Sequence, residues 1–191
     1  MTEAMDEREW LEAYFERYRQ AIYGVDVSSD LVRLKEIFLA ARRGGRKAIL
    51  AGNGGSAAIA SHCSVDFTKN AGVRCVNFNE ADLITCFAND YGYERWLEKA
   101  LDFYADDGDV VILISSSGQS ANMCRAAECA GRRGLTVVTF TGFDETNPLR
   151  KLGVLNFWVD SRAYNVVEMT HQIWLLAVCD LIIGSAEYSA S

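Results

Sequence analysis

Proline occurs once in the 191 residues, at Pro148. So few breakers of helix and strand point to compact regular structure and away from disorder. Basic charge is also scarce: 19 Lys and Arg stand against 26 Asp and Glu, a formal net charge of −7. That balance excludes a nucleic-acid surface, which needs clustered Lys and Arg against phosphates. A small anion is not excluded, because backbone N–H groups and hydroxyls bind it locally whatever the total charge. Histidine appears only twice, as His62 and His171. The six cysteines (63, 75, 86, 124, 129 and 179) form no C-x-x-C pair and no regular framework. They read as reduced, mostly buried thiols of a cytoplasmic protein. The acidic N-terminus excludes a secretory signal, and no apolar run of membrane-spanning length is read, so no membrane contact is expected.

What is present is periodic. Trp10, Leu11, Tyr14, Phe15, Tyr18, Ala21 and Ile22 recur at helical spacing across 6–23. Ser28-Ser29-Asp30 offers an N-cap for a second helix carrying Leu31, Leu34, Ile37, Phe38 and Ala41, which Gly44-Gly45 ends. These two are expected as an appended helical hairpin over residues 1–45, ahead of a core over 46–184, with the aromatic-rich first helix packed on the domain or on a neighbouring subunit. Strands are expected at 47–51, 74–77, 109–114, 135–140 and 154–159. Helices fall at 56–70, 81–88, 93–103, 120–133 and 165–184, with a helical turn near 147–152. Alternating βα units predict a single α/β domain over 1–191, a doubly wound parallel five-stranded sheet with helices on both faces. Ligands of such sheets sit at the carboxyl ends of the strands, near the topological switch point.

Two turns fall at that edge: Gly52-Asn53-Gly54-Gly55-Ser56 and Ser115-Ser116-Ser117-Gly118-Gln119-Ser120. Each follows an apolar strand and opens a helix, so each offers free N–H groups, a positive dipole end and hydroxyls to an anion. The pair points to one phosphorylated ligand held between two βα turns. No Gly-Lys-Ser/Thr follows the first turn and no third spaced glycine completes a dinucleotide fingerprint, so no nucleotide cofactor is expected. His62 and Asp66 share a helix face through i, i+4 spacing, and Glu168 and His171 through i, i+3 spacing, with Gln172 beside them. Either pair can hold a metal or move a proton; a surface or capping role is equally compatible with the spacing. Asn89-Asp90-Tyr91-Gly92-Tyr93 reads as a polar turn between two helical stretches.

Several of these blocks together resemble a known family. Gly52–Ser56 with Ala60-Ser61-His62, Asp66 and Lys69, then Ala88–Glu94, Ser115–Ser120 and Thr139-Phe140-Thr141-Gly142, resemble sugar isomerase (SIS) domains, over roughly 30–184. More narrowly they resemble the phosphoheptose isomerases. The resemblance implies conversion of sedoheptulose 7-phosphate into an aldoheptose 7-phosphate for surface-polysaccharide (lipopolysaccharide or capsule) synthesis. It also implies a homotetramer with active sites at subunit interfaces. Asn53, Gly54, Gly55, Ser56, Asn89, Asp90, Ser115, Ser116, Ser117 and Ser120 would then contact the phosphosugar. His62, Asp66 and Glu168 would be zinc ligands. Leu176 stands where the family places a metal-binding histidine, and Gln172 or His171 remains as a fourth donor. For an enediol mechanism, Asp66 or Glu168 would take the proton, and His171 would shuttle it between oxygens. A metal or His62 would polarise the carbonyl. Two further readings stay open: an isomerase of altered substrate or metal-free chemistry, and a non-catalytic SIS protein that binds a phosphosugar or a partner.

Overall fold

In the computed structural model, which describes residues 6–188, the strands are β1 (Ala48–Gly52), β2 (Cys75–Val76), β3 (Val110–Ser115), β4 (Thr136–Gly142) and β5 (Leu155–Val159). All pair in parallel, in the order β2-β1-β3-β4-β5. Parallel strands covered on both faces need near-continuous apolar runs, and Val110-Val111-Ile112-Leu113-Ile114 is fully buried. Successive side chains enter opposite layers. Leu50, Ile112, Val138, Phe140 and Phe157 join one core cluster, whereas Ile49, Ala51, Val111, Leu113 and Val137 join the other. Helices α1 (Glu7–Tyr23), α2 (Ser28–Arg43), α3 (Gly55–Lys69) and α7 (Tyr164–Ile183) contribute to the first cluster. Helices α4 (Ala81–Tyr91), α5 (Trp96–Tyr104) and α6 (Ala121–Arg132) contribute to the second. A short 3₁₀ turn at Leu149–Lys151 precedes β5.

The N-terminal helical hairpin packs on the domain, both helices along α7, with Leu34, Phe38 and Ala41 part of the sheet's core; three other expectations change in detail. The stacking that draws α2 inward is Phe38 on Phe67 of α3, with ring centroids 4.4 Å apart. Ser28 does not cap α2 but begins it; Asp26 accepts from the Ser28 N–H at 2.9 Å instead. Asn89 and Asp90 are not in a turn, because α4 continues through them to Tyr91 and stops at Gly92. Finally, α7 does have the length and apolarity of a membrane-crossing helix, contrary to the reading of the sequence. Here it is the helix against which α1, α2 and α3 pack.

The chain leaves β1 towards β2 on one side and leaves β3 towards β4 on the other, so the switch point lies between β1 and β3. Gly52 pairs with Ile114 at that edge. Both Gly/Ser turns therefore leave the sheet side by side.

Candidate active site

The two turns bound a cleft of about 290 Å³ lined by Asn53, Gly54, Gly55 and Ser56 from the first and Ser115, Ser116, Ser117 and Ser120 from the second. Ile114 forms part of its wall, and Tyr164 and Glu168 reach it from α7. No side chain caps α3 or α6. The Gly54 backbone (φ 56°, ψ −124°) at the start of α3 is a conformation glycine adopts without penalty. Both helix N-termini thus face the cleft with backbone donors and a positive dipole end.

The walls are fixed by side chains distant in sequence. Asn53 Nδ2 donates to Asn122 Oδ1 at 3.0 Å, and Asn122 Nδ2 donates back to Asn53 Oδ1 at 2.9 Å. The Tyr93 hydroxyl adds a third bond to Asn53 Oδ1 at 3.1 Å. Ser115 and Ser120 hydroxyls lie 3.2 Å apart. Ser116 Oγ is buried with no hydrogen-bond partner, a donor that a ligand oxygen in the cleft would satisfy. The end of β4 and the 3₁₀ turn brace this loop: Gly142 N–H donates to Ser116 O at 2.9 Å, and Leu149 N–H donates to Gly118 O at 3.1 Å.

Glu168 enters the cleft over Gly55. A Cβ at Gly55 would lie 2.6 Å from the Glu168 carboxyl carbon, so only glycine admits this carboxylate. Burial raises the Glu168 carboxyl above the usual carboxylate range. One turn earlier, Tyr164 packs edge-on against Phe143 with centroids 4.8 Å apart. Phe143 holds a positive φ of 57°, alone among the described non-glycine residues, and that strained position carries the ring supporting Tyr164.

His62 and Asp66 form a second arrangement, along the seam of α3 and α7. His62 Nε2 is 3.0 Å from Asp66 Oδ2, and His62 Nδ1 is 2.8 Å from Gln172 Nε2. The imidazole is about half exposed. Gly55 and His62 are seven residues apart on α3, roughly 10 Å of helix rise.

Residues 13–142 match the model of a family described as SIS domain. The phosphoheptose isomerase of Geobacter metallireducens is 30% identical over 188 residues, covering 95% of this chain and 94% of its own. This chain belongs to the SIS domain family. The phosphoheptose isomerase of Colwellia psychrerythraea is 32% identical to this SIS protein over 147 residues, 73% of this chain and 75% of its own. The solved phosphoheptose isomerase of Neisseria gonorrhoeae superposes with a TM-score of 0.82 at 28% identity, over 94% of this chain and 100% of its own. That of Francisella tularensis gives 0.85 at 21% identity, over 95% and 100%, and speaks to the SIS fold alone.

The SIS fold gathers most, not all, of the residues singled out in the sequence. Both turns and Glu168 meet in the cleft. Asn89 and Asp90 do not: they hydrogen-bond to each other at 2.9 Å on α4, and the neighbour that reaches the site is Tyr93. His171 does not serve as an accessible shuttle. It is fully buried, its Nε2 donates to Thr141 O at 3.0 Å, and its ring packs edge-on against Phe140. The i, i+3 spacing from Glu168 was real, but the face it shares turns into the core at His171. Asn122 and Tyr164 carry no motif of their own in the sequence; their only local signal is proximity to the serine turn and to Glu168.

The donors proposed for zinc do not converge. Among the described residues no three His, Cys, Asp or Glu side chains are grouped to hold a metal ion. His62 has both ring nitrogens engaged, Glu168 lies over Gly55, and Leu176 offers no donor. A zinc site needs three or four such ligands in tetrahedral reach, and this set does not fit one.

Proposed function

We propose that this SIS protein is a phosphoheptose isomerase, interconverting sedoheptulose 7-phosphate and an aldoheptose 7-phosphate through an enediol. The observation that carries the reading is the cleft itself, where a half-buried carboxylate stands over a cradle of serine hydroxyls and helix N-termini. The names of the relatives, phosphoheptose isomerase in each case, support the choice of sugar.

The phosphate occupies the serine loop, where Ser115, Ser117 and Ser120 donate and the orphaned Ser116 hydroxyl gains a partner. Anchoring that remote end orients C1 and C2 of the sugar. Glu168 removes a proton from C1, and the C–H electron pair forms the C1–C2 double bond as charge passes to the C2 oxygen. The C2 oxygen gains a proton as the O1 hydroxyl loses one. The carboxyl then returns its proton to C2, which leaves the aldehyde at C1. Burial strengthens Glu168 as a base, and Tyr164 closes the side of the cleft with a phenol donor.

The same reading places the protein in the cytoplasm, in surface-polysaccharide synthesis, as a homotetramer. Met169, Ile173 and Leu181 on α7 support burial against another subunit: they are exposed and recur at multiples of four residues. Proton NMR of the protein with sedoheptulose 7-phosphate in D₂O tests the activity. Exchange at C1 with growth of an aldose product is expected; saturable binding without exchange removes the isomerase reading.

A further inference from the structure

The seam between α3 and α7 shows what occupies the place of the absent metal donors. Asp66, as a carboxylate, can only accept, so His62 Nε2 carries a proton and donates to it. Gln172 directs its amide nitrogen at Nδ1, which must then be the acceptor. The two contacts agree on a single neutral tautomer, Nε2–H. On α7, Glu168, Gln172 and Leu176 follow at i, i+4 and i+8 and share one face. That face presents a carboxylate to the cleft, an amide to the imidazole, and a hydrocarbon where a further ligand would stand. Leu176 packs against the core cluster that includes α3.

We infer that this seam is a metal-free hydrogen-bonded array, in which Gln172 is a positioning residue that holds His62 in the Nε2–H tautomer against Asp66. The consequence for chemistry rests on the isomerase reading above. In that reaction the enediolate oxygens are stabilised by the cleft's own hydrogen-bond donors, in the manner of an oxyanion hole, while His62, with both ring nitrogens engaged, ties α3 to α7. A zinc ion at His62 would have to displace Gln172 from Nδ1 or Asp66 from Nε2. Neither displacement brings a third ligand into reach.

The protein contains two histidines, so ¹⁵N-histidine labelling and long-range proton–nitrogen NMR resolve both rings, with His62→Gln assigning the spectrum. The expected spectrum shows His62 protonated at Nε2 and bare at Nδ1, unchanged by one equivalent of zinc sulfate. Gln172→Ala keeps the proton on Nε2, which Asp66 still requires, and shifts the Nδ1 signal as water replaces the amide. Gln172→Glu, which can only accept, adds a proton at Nδ1 while Asp66 keeps the one at Nε2. Turnover is equal in chelator-treated and zinc-supplemented protein. Stoichiometric zinc retention with displacement of the His62 ring signals overturns the inference, as does turnover restored only by zinc. The NMR readout needs no turnover. A protein with the expected tautomer and no exchange of sugar protons therefore removes the isomerase reading while the array stands.

Discussion

Asn53 and Asn122 exchange two amide hydrogen bonds, at 3.0 and 2.9 Å, across the switch point of the sheet. Asn53 belongs to the turn after β1, and Asn122 to the first turn of α6, where it is only 3% exposed. Each amide satisfies the other, so the two halves of the cleft are joined at fixed separation before any ligand arrives. Asn122→Ala removes both bonds and leaves the Asn53 amide with the Tyr93 hydroxyl alone. The expected loss is about 1–3 kcal/mol of stability, the range for orphaning a buried polar group. A raised KM for the phosphosugar should accompany it. Urea unfolding and steady-state kinetics read the two effects; unchanged stability and KM would mean that the pair does not set the cleft's width.

Gly55→Ala separates packing from helix propensity. Alanine in the first turn of α3 favours the helix by roughly 0.5–1 kcal/mol over glycine. Its Cβ, however, meets the Glu168 carboxyl group. The carboxylate must swing away, and a displacement of about 1 Å at a reacting group lowers turnover by about 10²-fold. Thermal unfolding should therefore change little while kcat collapses. Retained kcat would remove Glu168 from the role of base.

The parts of the site that local pattern encodes were legible. Apolar runs ending in Gly52–Ser56 and Ser115–Ser120 located both turns, and the βα alternation gave the sheet on which they meet. What was not legible depends on register between elements far apart in the chain. Asn53 finds Asn122 across 69 residues, and His62 finds Gln172 across 110. Periodicity places a residue on a helix face but does not say what that face meets. His171 shows the limit: its spacing from Glu168 suited a site, yet the turn of α7 that carries it faces Phe140 and Trp174. The N-terminal hairpin is a related case, since an amphipathic helix declares an apolar stripe and not whether the domain or a neighbouring subunit covers it.

The pH dependence of turnover should show the environment of Glu168. Burial raises its carboxyl above the usual range, and the protonated form cannot take a proton from C1. Activity should therefore fall with decreasing pH earlier than an ordinary carboxylate would cause. Stability has the opposite sign: a carboxyl with a raised folded-state pKa favours folding when protonated, and that favour is lost as pH rises through the raised value. Glu168→Gln should consequently abolish turnover, keep phosphosugar binding, and unfold at a slightly higher temperature than the parent at pH 8. That advantage should shrink at acid pH. Undiminished turnover in the variant discards the assignment.

His171 supplies the complementary case, a titration that belongs to the fold and not to the chemistry. Burial pushes its imidazole down to about 4, and the bond to Thr141 O only partly offsets this. Its Nδ1 has no partner, so the ring is a neutral filler between Phe140 and Trp174. The unfolded chain takes up a proton near pH 6.5, where a free imidazole titrates, whereas the folded chain resists until about pH 4. The stabilisation is complete above 6.5 and is lost as pH falls from there towards 4, at up to about 1.4 kcal/mol per pH unit and about 3 kcal/mol in all. His171→Phe keeps an aromatic ring in the core and removes the titration. Its expected signature is a flatter stability profile between pH 7 and 5 by urea unfolding, with somewhat lower stability at pH 7.5 because Thr141 O loses its donor. If parent and variant fall with the same slope, the imidazole is already charged in the folded protein, and its buried neutral role is wrong.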